Sequence, residues 1–216
     1  MIGIVMIDRD SELINKVYNA IRKNGGYLIM VCCRESDKKT INIFKKLKEN
    51  DSNIIIKTIK HYSITERHNM KKIKTKRNII RKYALLNGYD NLIFIDSDIV
   101  INNNTITKLL NSDSDICIIP YNIKWLGNIV AVGILKENKY EIKIIKENKE
   151  KYRRCNIGGM GCTLLNKKAM EIEFEVKKYS HDKKNFAYGE DIGYFLNANK
   201  KGLKIKYLSG HKIKHM

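Results

Sequence analysis

Apolar residues in this chain fall into short runs, and between the runs they recur at every third or fourth position. Ile2–Ile7 is the first run and reads as a buried strand. Asp10 or Ser11 then offers a helix N-cap. Leu13, Ile14, Val17 and Ile21 follow at helical spacing until Gly25-Gly26 stops the pattern. Tyr27–Cys33 is a second strand-like run; Ile41, Phe44 and Leu47 mark a helix, and Asn53–Ile59 is a third strand. Ser63-x-x-Glu66 has the form of a capping box and opens a long basic helix ending near Asn87-Gly88. Leu92–Ile95 is a fourth strand. Strands alternating with helices at this rhythm predict a mostly parallel, doubly wound α/β sheet.

The second half is patterned differently. Ile129–Leu135 and Tyr140–Ile145 flank Lys136-Glu137-Asn138-Lys139, which predicts an antiparallel hairpin. Gly158-Gly159-Met160-Gly161 precedes a short apolar stretch, Cys162–Leu165. Glu190–Lys201 reads as a last helix, Gly202 stops it, and Leu203–Leu208 is a final strand. With no repeat and no linker, residues 1–216 read as one domain in two unequal halves, 1–100 and 101–216.

Composition narrows the class. With 43% hydrophobic and 30% charged residues in 216, the chain can bury a core without disulfides and is not a disordered segment. No apolar run approaches the ~20 residues that span a bilayer, and Met1–Ile7 lacks the marks of an export signal. A soluble, cytoplasmic protein is therefore expected. The formal charge of +19 suggests a polyanionic partner, with peripheral contact to anionic surfaces as the one membrane association it allows. Heavy use of Lys, Asn and Ile, a single Pro and no Gln also fit AT-rich coding, which raises Lys without functional demand. Cys32, Cys33, Cys117, Cys155 and Cys162 contain no CxxC pair, so reduced and mostly buried thiols are expected rather than a zinc or disulfide framework.

The sharpest chemical feature is Asn91-Leu-Ile-Phe-Ile-Asp96-Ser97-Asp98-Ile99, where four apolar residues deliver two carboxylates to the end of a strand. In open α/β sheets ligands bind there. Two acids so close repel each other, and a divalent cation bridging a phosphorylated ligand supplies the counter-charge. A polar turn capping the next helix is the plainer alternative. In the long helix, Ile73, Arg77, Ile80 and Ala84 share one face, so Arg77 is expected to point toward the sheet and to need an anionic partner. A diphosphate or Asp96 would serve. Gly189-Glu190-Asp191 opens the last helix with paired acids, as a helix cap or as a general base beside a hydroxyl-binding acid. The chain closes on His211-Lys-Ile-Lys-His215-Met216, where imidazole is a common metal ligand.

Taken together, these pieces resemble the GT-A class of metal-dependent glycosyltransferases. The likeness is carried by Arg77-Asn78, by FIDSD at Phe94–Asp98 as the DxD motif and by GGMGCTLL at Gly158–Leu165. GEDIGYF at Gly189–Phe195 and GLKIKYLSGHKIKH at Gly202–His215 complete it. It implies a Rossmann-like nucleotide-binding half and a smaller, mixed acceptor-and-metal half. The activity it implies is sugar transfer from a UDP- or GDP-sugar to a glycan or glycoconjugate, with Mn2+ or Mg2+. Asp96 would contact the ribose or the metal, with Ser97 beside it on the nucleotide. Asp98 and His215 would be metal ligands, His211 being the less favoured histidine, and Arg77 would hold the nucleotide. Gly158 and Gly159 would let the backbone approach the sugars. Glu190 would bind sugar hydroxyls, Asp191 would be the base if configuration inverts, and Asp8, Cys33 and Arg34 would lie near the nucleobase. The first strand lacks the usual Pro-x-Tyr-Asn-like start. A minimal enzyme and one domain of a longer polypeptide both fit an end one residue after His215.

Three other readings compete. A haloacid-dehalogenase-like phosphohydrolase would use Asp96 as nucleophile in Asp96-Ser97-Asp98-Ile99-Val100, but that motif belongs on a first strand. A sugar-nucleotide synthesising transferase wants a Gly-rich loop after the first strand, and Asp8-Arg9-Asp10 is not one. A nucleic-acid-binding module would interleave cations with aromatics on one face, whereas here the Tyr residues are scattered, so no nucleic acid is expected.

Overall fold

The computed structural model describes residues 1–6, 8–60, 69–123, 129–130, 132–136, 139–142, 149–180, 186–211 and 213–216. The chain opens with strand β1 (Ile2–Val5), a 3-10 turn over Asp8–Leu13 and helix α1 (Ile14–Arg22). Strand β2 (Ile29–Arg34), helix α2 (Lys38–Asn50), strand β3 (Ile54–Ile59), helix α3 (Asn69–Leu86) and strand β4 (Asn91–Ile95) continue the alternation. Then come β5 (Ile99–Val100), α4 (Thr105–Leu110), β6 (Ile116–Ile118), β7 (Asn122–Ile123), β8 (Ile129–Val130), β9 (Val132–Lys136) and β10 (Lys139–Ile142). The last part holds β11 (Lys151–Arg154), β12 (Ile157–Gly158), β13 (Cys162–Asn166), α5 (Lys167–Met170), β14 (Lys177–Ser180) and β15 (Phe186–Gly189). It ends with α6 (Glu190–Lys200), β16 (Ile205–Ser209) and β17 (Lys214–His215).

Eight strands form one sheet in the order β11-β16-β6-β13-β4-β1-β2-β3. β3, β2, β1 and β4 run parallel, and β13 lies antiparallel between β4 and β6. The chain thus moves outward from β1 through β2 to β3, then returns to the far side of β1 as β4. Where the strand order reverses in this way, a crevice opens at the carboxyl ends of the two flanking strands. Here those ends are Met6 and Asp96.

Side chains alternate through the sheet with period two. Ile2, Ile4, Ile93 and Ile95 pack with Ile14, Val17, Ile21 and Phe44 of α1 and α2 on one face. Leu92, Phe94 and Leu165 pack with Ile80, Ala84, Tyr194 and Phe195 of α3 and α6 on the other. Two glycines set how closely these helices sit. A Cβ at Gly3 would lie 2.5 Å from Ile80 Cγ2, and one at Gly193 would lie 1.8 Å from the Glu175 carbonyl oxygen.

The alternating elements stand where the hydrophobic pattern put them, with shifted ends. The hairpin is present as β9 and β10, with Lys139 opposite Lys136. Its turn residues 137–138, residues 143–145 and the expected capping box at 63–66 lie outside the described residues. Neither Asp10 nor Ser11 caps α1, which starts after Leu13 without a side-chain cap. Asp10 is diverted, because its carboxylate accepts a hydrogen bond from Ser97 Oγ at 2.5 Å. The last strand starts at Ile205 rather than Leu203, since the Leu203 N–H still closes the end of α6 on the Ala198 carbonyl. Gly202, at φ +69°, makes that reversal. All five cysteines are buried thiols outside any disulfide, and burial pushes the Cys32 and Cys117 thiols up to about 12. Among the described residues no helix is long and apolar enough to cross a membrane.

The contact at Gly193 gives a direct test of how α6 is held. Gly193→Ala has to push α6 away from the 175–177 backbone, so it should lower stability by about 3 kcal/mol, measured by urea unfolding. A cost of only a few tenths would mean that α6 is free to shift.

Candidate active site

The turn after β4 is fixed by backbone hydrogen bonds. The Asp96 N–H donates to the Gly161 carbonyl (2.8 Å) and the Ile99 N–H to the Asp96 carbonyl (3.0 Å). The chain therefore reverses within Asp96-Ser97-Asp98 and leaves as β5. β17 pairs antiparallel with β5, placing His215 opposite Ile99, and the Met216 N–H donates to the Asp98 carbonyl at 2.9 Å. This small ribbon brings His215 Nε2 to 3.1 Å from Asp98 Oδ2, across 117 positions of sequence. Burial raises the Asp98 pKa and the neighbouring Asp96 adds to it, while His215 opposes both. His211 is elsewhere: its ring bonds Thr105 Oγ1 at 2.8 Å and Glu150 Oε1 at 2.7 Å.

Arg77 lies behind this turn, only 3% exposed. Its Nη2 donates to Asp96 Oδ1 at 2.9 Å and its Nη1 to the Met160 carbonyl at 3.4 Å. Its Nε stands 3.3 Å from Glu190 Oε1, an ion pair without hydrogen-bond geometry. The guanidinium carbon lies 5.2 Å from the Phe94 ring centre and 5.9 Å from that of Phe174. One cation thus joins α3, β4, the Gly158–Gly161 turn and the start of α6. Burial works against its charge, but Asp96 and Glu190 outweigh that and raise its pKa.

The two acids that open α6 are raised as well. Burial pushes Glu190 up to about 7, Arg77 holding it down and Asp191 adding to the rise. Burial also raises Asp191, against the hydrogen bond that Asp191 Oδ1 accepts from the Ile192 N–H at 2.8 Å. Between the acids and the ribbon stands Tyr121. Its ring meets His215 edge to face, with centroids 5.3 Å apart, and burial raises its hydroxyl so that it stays neutral. A Cβ at Gly159 would lie 2.7 Å from the Tyr121 oxygen, and one at Gly161 2.6 Å from it. The space opened by those glycines is therefore taken by a tyrosine hydroxyl.

The other expected residues are placed as follows. Ser97 is buried with its hydroxyl donated to Asp10, and Gly158 is in β12, paired with Val132. Arg34 ends β2 on the same edge of the sheet and binds Asp37, Nε–Oδ1 2.9 Å and Nη2–Oδ1 2.6 Å. Cys33 is buried just before it, and the Asp8 side chain lies outside the described residues. Four contributors were not anticipated: Asp10, Lys76, Tyr121 and Phe174. Lys76 is 1% exposed, donates from Nζ to the Met6 carbonyl at 2.5 Å and lies 3.9 Å from Asp37 Oδ2. Burial lowers its pKa. Nothing in a helix already rich in lysine marks Lys76 out. Tyr121 carried a usable signal, since it follows the only proline, Pro120, just after β6.

The donor set can be tested against a divalent cation. Among the described residues no three His, Cys, Asp or Glu side chains form a ready ligand cluster. Asp98 and His215 are brought together, whereas Asp96 is turned to Arg77. Two ligands on neighbouring corners of an octahedral Mg2+ or Mn2+ stand roughly 3 Å apart, which the 3.1 Å pair matches. Such ions are commonly held by one or two protein groups, with phosphate oxygens and water filling the rest. The residues present fit that case.

The Arg77 clamp predicts two outcomes. Arg77→Met leaves Glu190 buried without its cation and should cost about 3–5 kcal/mol in denaturant unfolding. Arg77→Lys should rescue little of it, because one ammonium cannot replace a planar fork. The second outcome concerns pH. Between the ordinary Glu value of 4.5 and about 7, the unfolded chain releases a proton that folded Glu190 keeps, so stability falls as pH rises through that window. Glu190→Gln should flatten this fall in a series of melts from pH 4 to 8.

No protein-family model matches the chain, and no curated protein matches it in sequence. Solved structures do match in shape. One is a protein of Desulfovibrio desulfuricans G20 assigned as a nucleotide-diphospho-sugar transferase, with TM-score 0.50 and 10% identity over 100% of this chain and 81% of that one. Another is the mannosyltransferase PcManGT of Pyrobaculum calidifontis, solved with GDP-Man and Mn2+, with TM-score 0.53 and 10% identity. It is matched over 98% of this chain but 55% of its own length. At such identity the likeness establishes architecture alone, and that architecture is the GT-A fold.

Proposed function

We propose that this chain transfers a sugar from a nucleotide-diphosphate sugar, UDP- or GDP-linked, to a glycan or glycoconjugate acceptor in a divalent-metal-dependent reaction. The observation that carries this reading is the Asp98–His215 pair, two cation-ligand atoms 3.1 Å apart beside the crevice where the strand order reverses. The match to a mannosyltransferase solved with GDP-Man and Mn2+ supports it.

In this reading Asp98 and His215 hold the ion. Its chemistry there is to neutralise charge on the departing nucleoside diphosphate. Arg77 fixes Asp96 through one carboxylate oxygen and leaves the other for a ribose hydroxyl. Ser97, anchored on Asp10, keeps the turn between the two acids in one conformation. The carboxyl ends of β1 and β2, with Asp8 and Arg34, receive the nucleobase, while Cys33 packs in the core beside them. Glu190 and the backbone at Gly158 face the transferred sugar, whereas the space beside Gly159 is filled by the Tyr121 hydroxyl. Asp191, its proton affinity raised by burial, takes the proton of the acceptor hydroxyl if configuration inverts. The phosphohydrolase alternative asks for its motif after the first strand of the chain, whereas Asp96 follows β4.

Thermal melts with UDP, GDP, ADP and dTDP, with and without Mn2+, test the donor site. One nucleotide should stabilise the protein only with metal, by about 2.7 kcal/mol at a hundredfold excess over Kd. Asp98→Ala should abolish the effect, and equal stabilisation of that variant would remove Asp98 from the site. With the donor identified, Asp191→Asn should lower kcat by about 10²–10⁴-fold while leaving nucleotide binding intact.

A further inference from the structure

Successive residues of a strand point to opposite faces, so Lys214 and His215 look to opposite sides of the β5–β17 ribbon. On the Lys214 side lies a cavity of about 960 Å3. Lys16 comes to it from α1 and Lys23 from just beyond α1's end. Lys108 comes from α4 and Lys214 from β17. Lys16 and Lys23 are seven positions apart and so share a helix face. Among the described residues Glu150 is the only side-chain carboxylate in the lining, and it is occupied by Lys108 Nζ at 2.6 Å and His211 Nδ1 at 2.7 Å. Among the described residues Lys16, Lys23 and Lys214 have no acidic partner. Other lysines of this chain do find one, as Lys204 does on Asp113 and Lys177 on Glu175.

The walls of this cavity are fixed. Asn24 Nδ2 donates to the Asn102 carbonyl at 3.0 Å, and Asn24 Oδ1 accepts from the Ile106 N–H at 3.2 Å, which ties the end of α1 to α4. Gly210, at φ +72°, lets the backbone at Lys149 approach to where a Cβ would lie 2.5 Å from it, and this delivers Glu150. Asn19 and Asn102–Asn104 add amide groups to the lining.

We propose that this cavity binds a phosphate-bearing ligand. Three exposed lysines without acidic partners among the described residues line one concave space, and an anion bound among them meets a local excess of positive charge. The volume suits a small molecule or a headgroup, and the asparagine amides suit the hydroxyls and oxygens around a phosphate. The ligand's source is either a soluble phosphorylated compound or the headgroup of an anionic lipid. The site is separate from the Asp98–His215 pair and does not depend on the sugar-transfer reading. A ligand held by Lys214 would brace the ribbon whose next residue is His215.

The test uses the full chain in EDTA, so that a metal-dependent site stays silent. Glycerol 3-phosphate is titrated calorimetrically, and sedimentation with phosphatidylglycerol or phosphatidylcholine vesicles runs in parallel. The double variant Lys16→Ala/Lys23→Ala is compared with Lys46→Ala/Lys48→Ala, an equal charge change on α2. Glycerol 3-phosphate binding that weakens at least tenfold only in the first pair supports the site with a soluble ligand. Retention on phosphatidylglycerol vesicles alone, lost only in the first pair, supports it with a lipid headgroup. Binding to neither probe, or equal loss in both pairs, overturns the proposal.

Discussion

A guanidinium taken out of water has to be paired, and in this fold that requirement organises the site. Arg77 reaches the acid at the end of β4, the carbonyl of Met160 and the first acid of α6, with aromatic rings against its flat faces. None of these groups is a neighbour of another in sequence. Glu190 and the Met160 carbonyl would be left buried without that cation if it moved, so the elements that carry them are coupled to α3 through one side chain. Burial raises the proton affinity of Glu190 and Asp191, and Arg77 opposes that rise in both.

This pairing divides the labour of the two acids after β4. Asp96 is held by Arg77 through one carboxylate oxygen, while Asp98 meets His215. The residue between them is anchored on Asp10, which comes from the segment after β1. The turn is therefore braced from both strands that flank the crevice. In the proposed reading such a site would present few protein ligands and leave the remaining positions on a Mg2+ or Mn2+ ion to phosphate oxygens.

Much of this was legible in the chain. The alternation of strands and helices gave the doubly wound sheet, the apolar run before Asp96 placed the acids at a strand end, and the helical spacing of Ile73, Arg77, Ile80 and Ala84 turned Arg77 inward. What stayed hidden depends on long-range pairing. The register of β17 on β5, which brings His215 to Asp98, is one such pairing, and two-residue strands carry almost no local signal. Spacing alone left Glu190 as a cap or a rim acid, whereas its buried place beside Arg77 follows from how closely Gly193 lets α6 approach. Asp10 looked like an N-cap because its chemistry suits one, but a buried Ser97 hydroxyl competed for the carboxylate. Lys76 was lost among its basic neighbours, since composition cannot separate a buried ammonium from solvated ones.

The central claim is that Arg77 draws Asp96 away from the cation and leaves Asp98 and His215 to bind it beside the donor diphosphate. Pulsed electron paramagnetic resonance on the Mn2+–nucleotide complex reads those ligands directly. The account predicts one imidazole ¹⁴N coupling together with ³¹P coupling from the diphosphate, and His215→Ala should erase only the nitrogen signal. Bound Mn2+ with phosphorus coupling and no nitrogen coupling in the wild-type chain would contradict it.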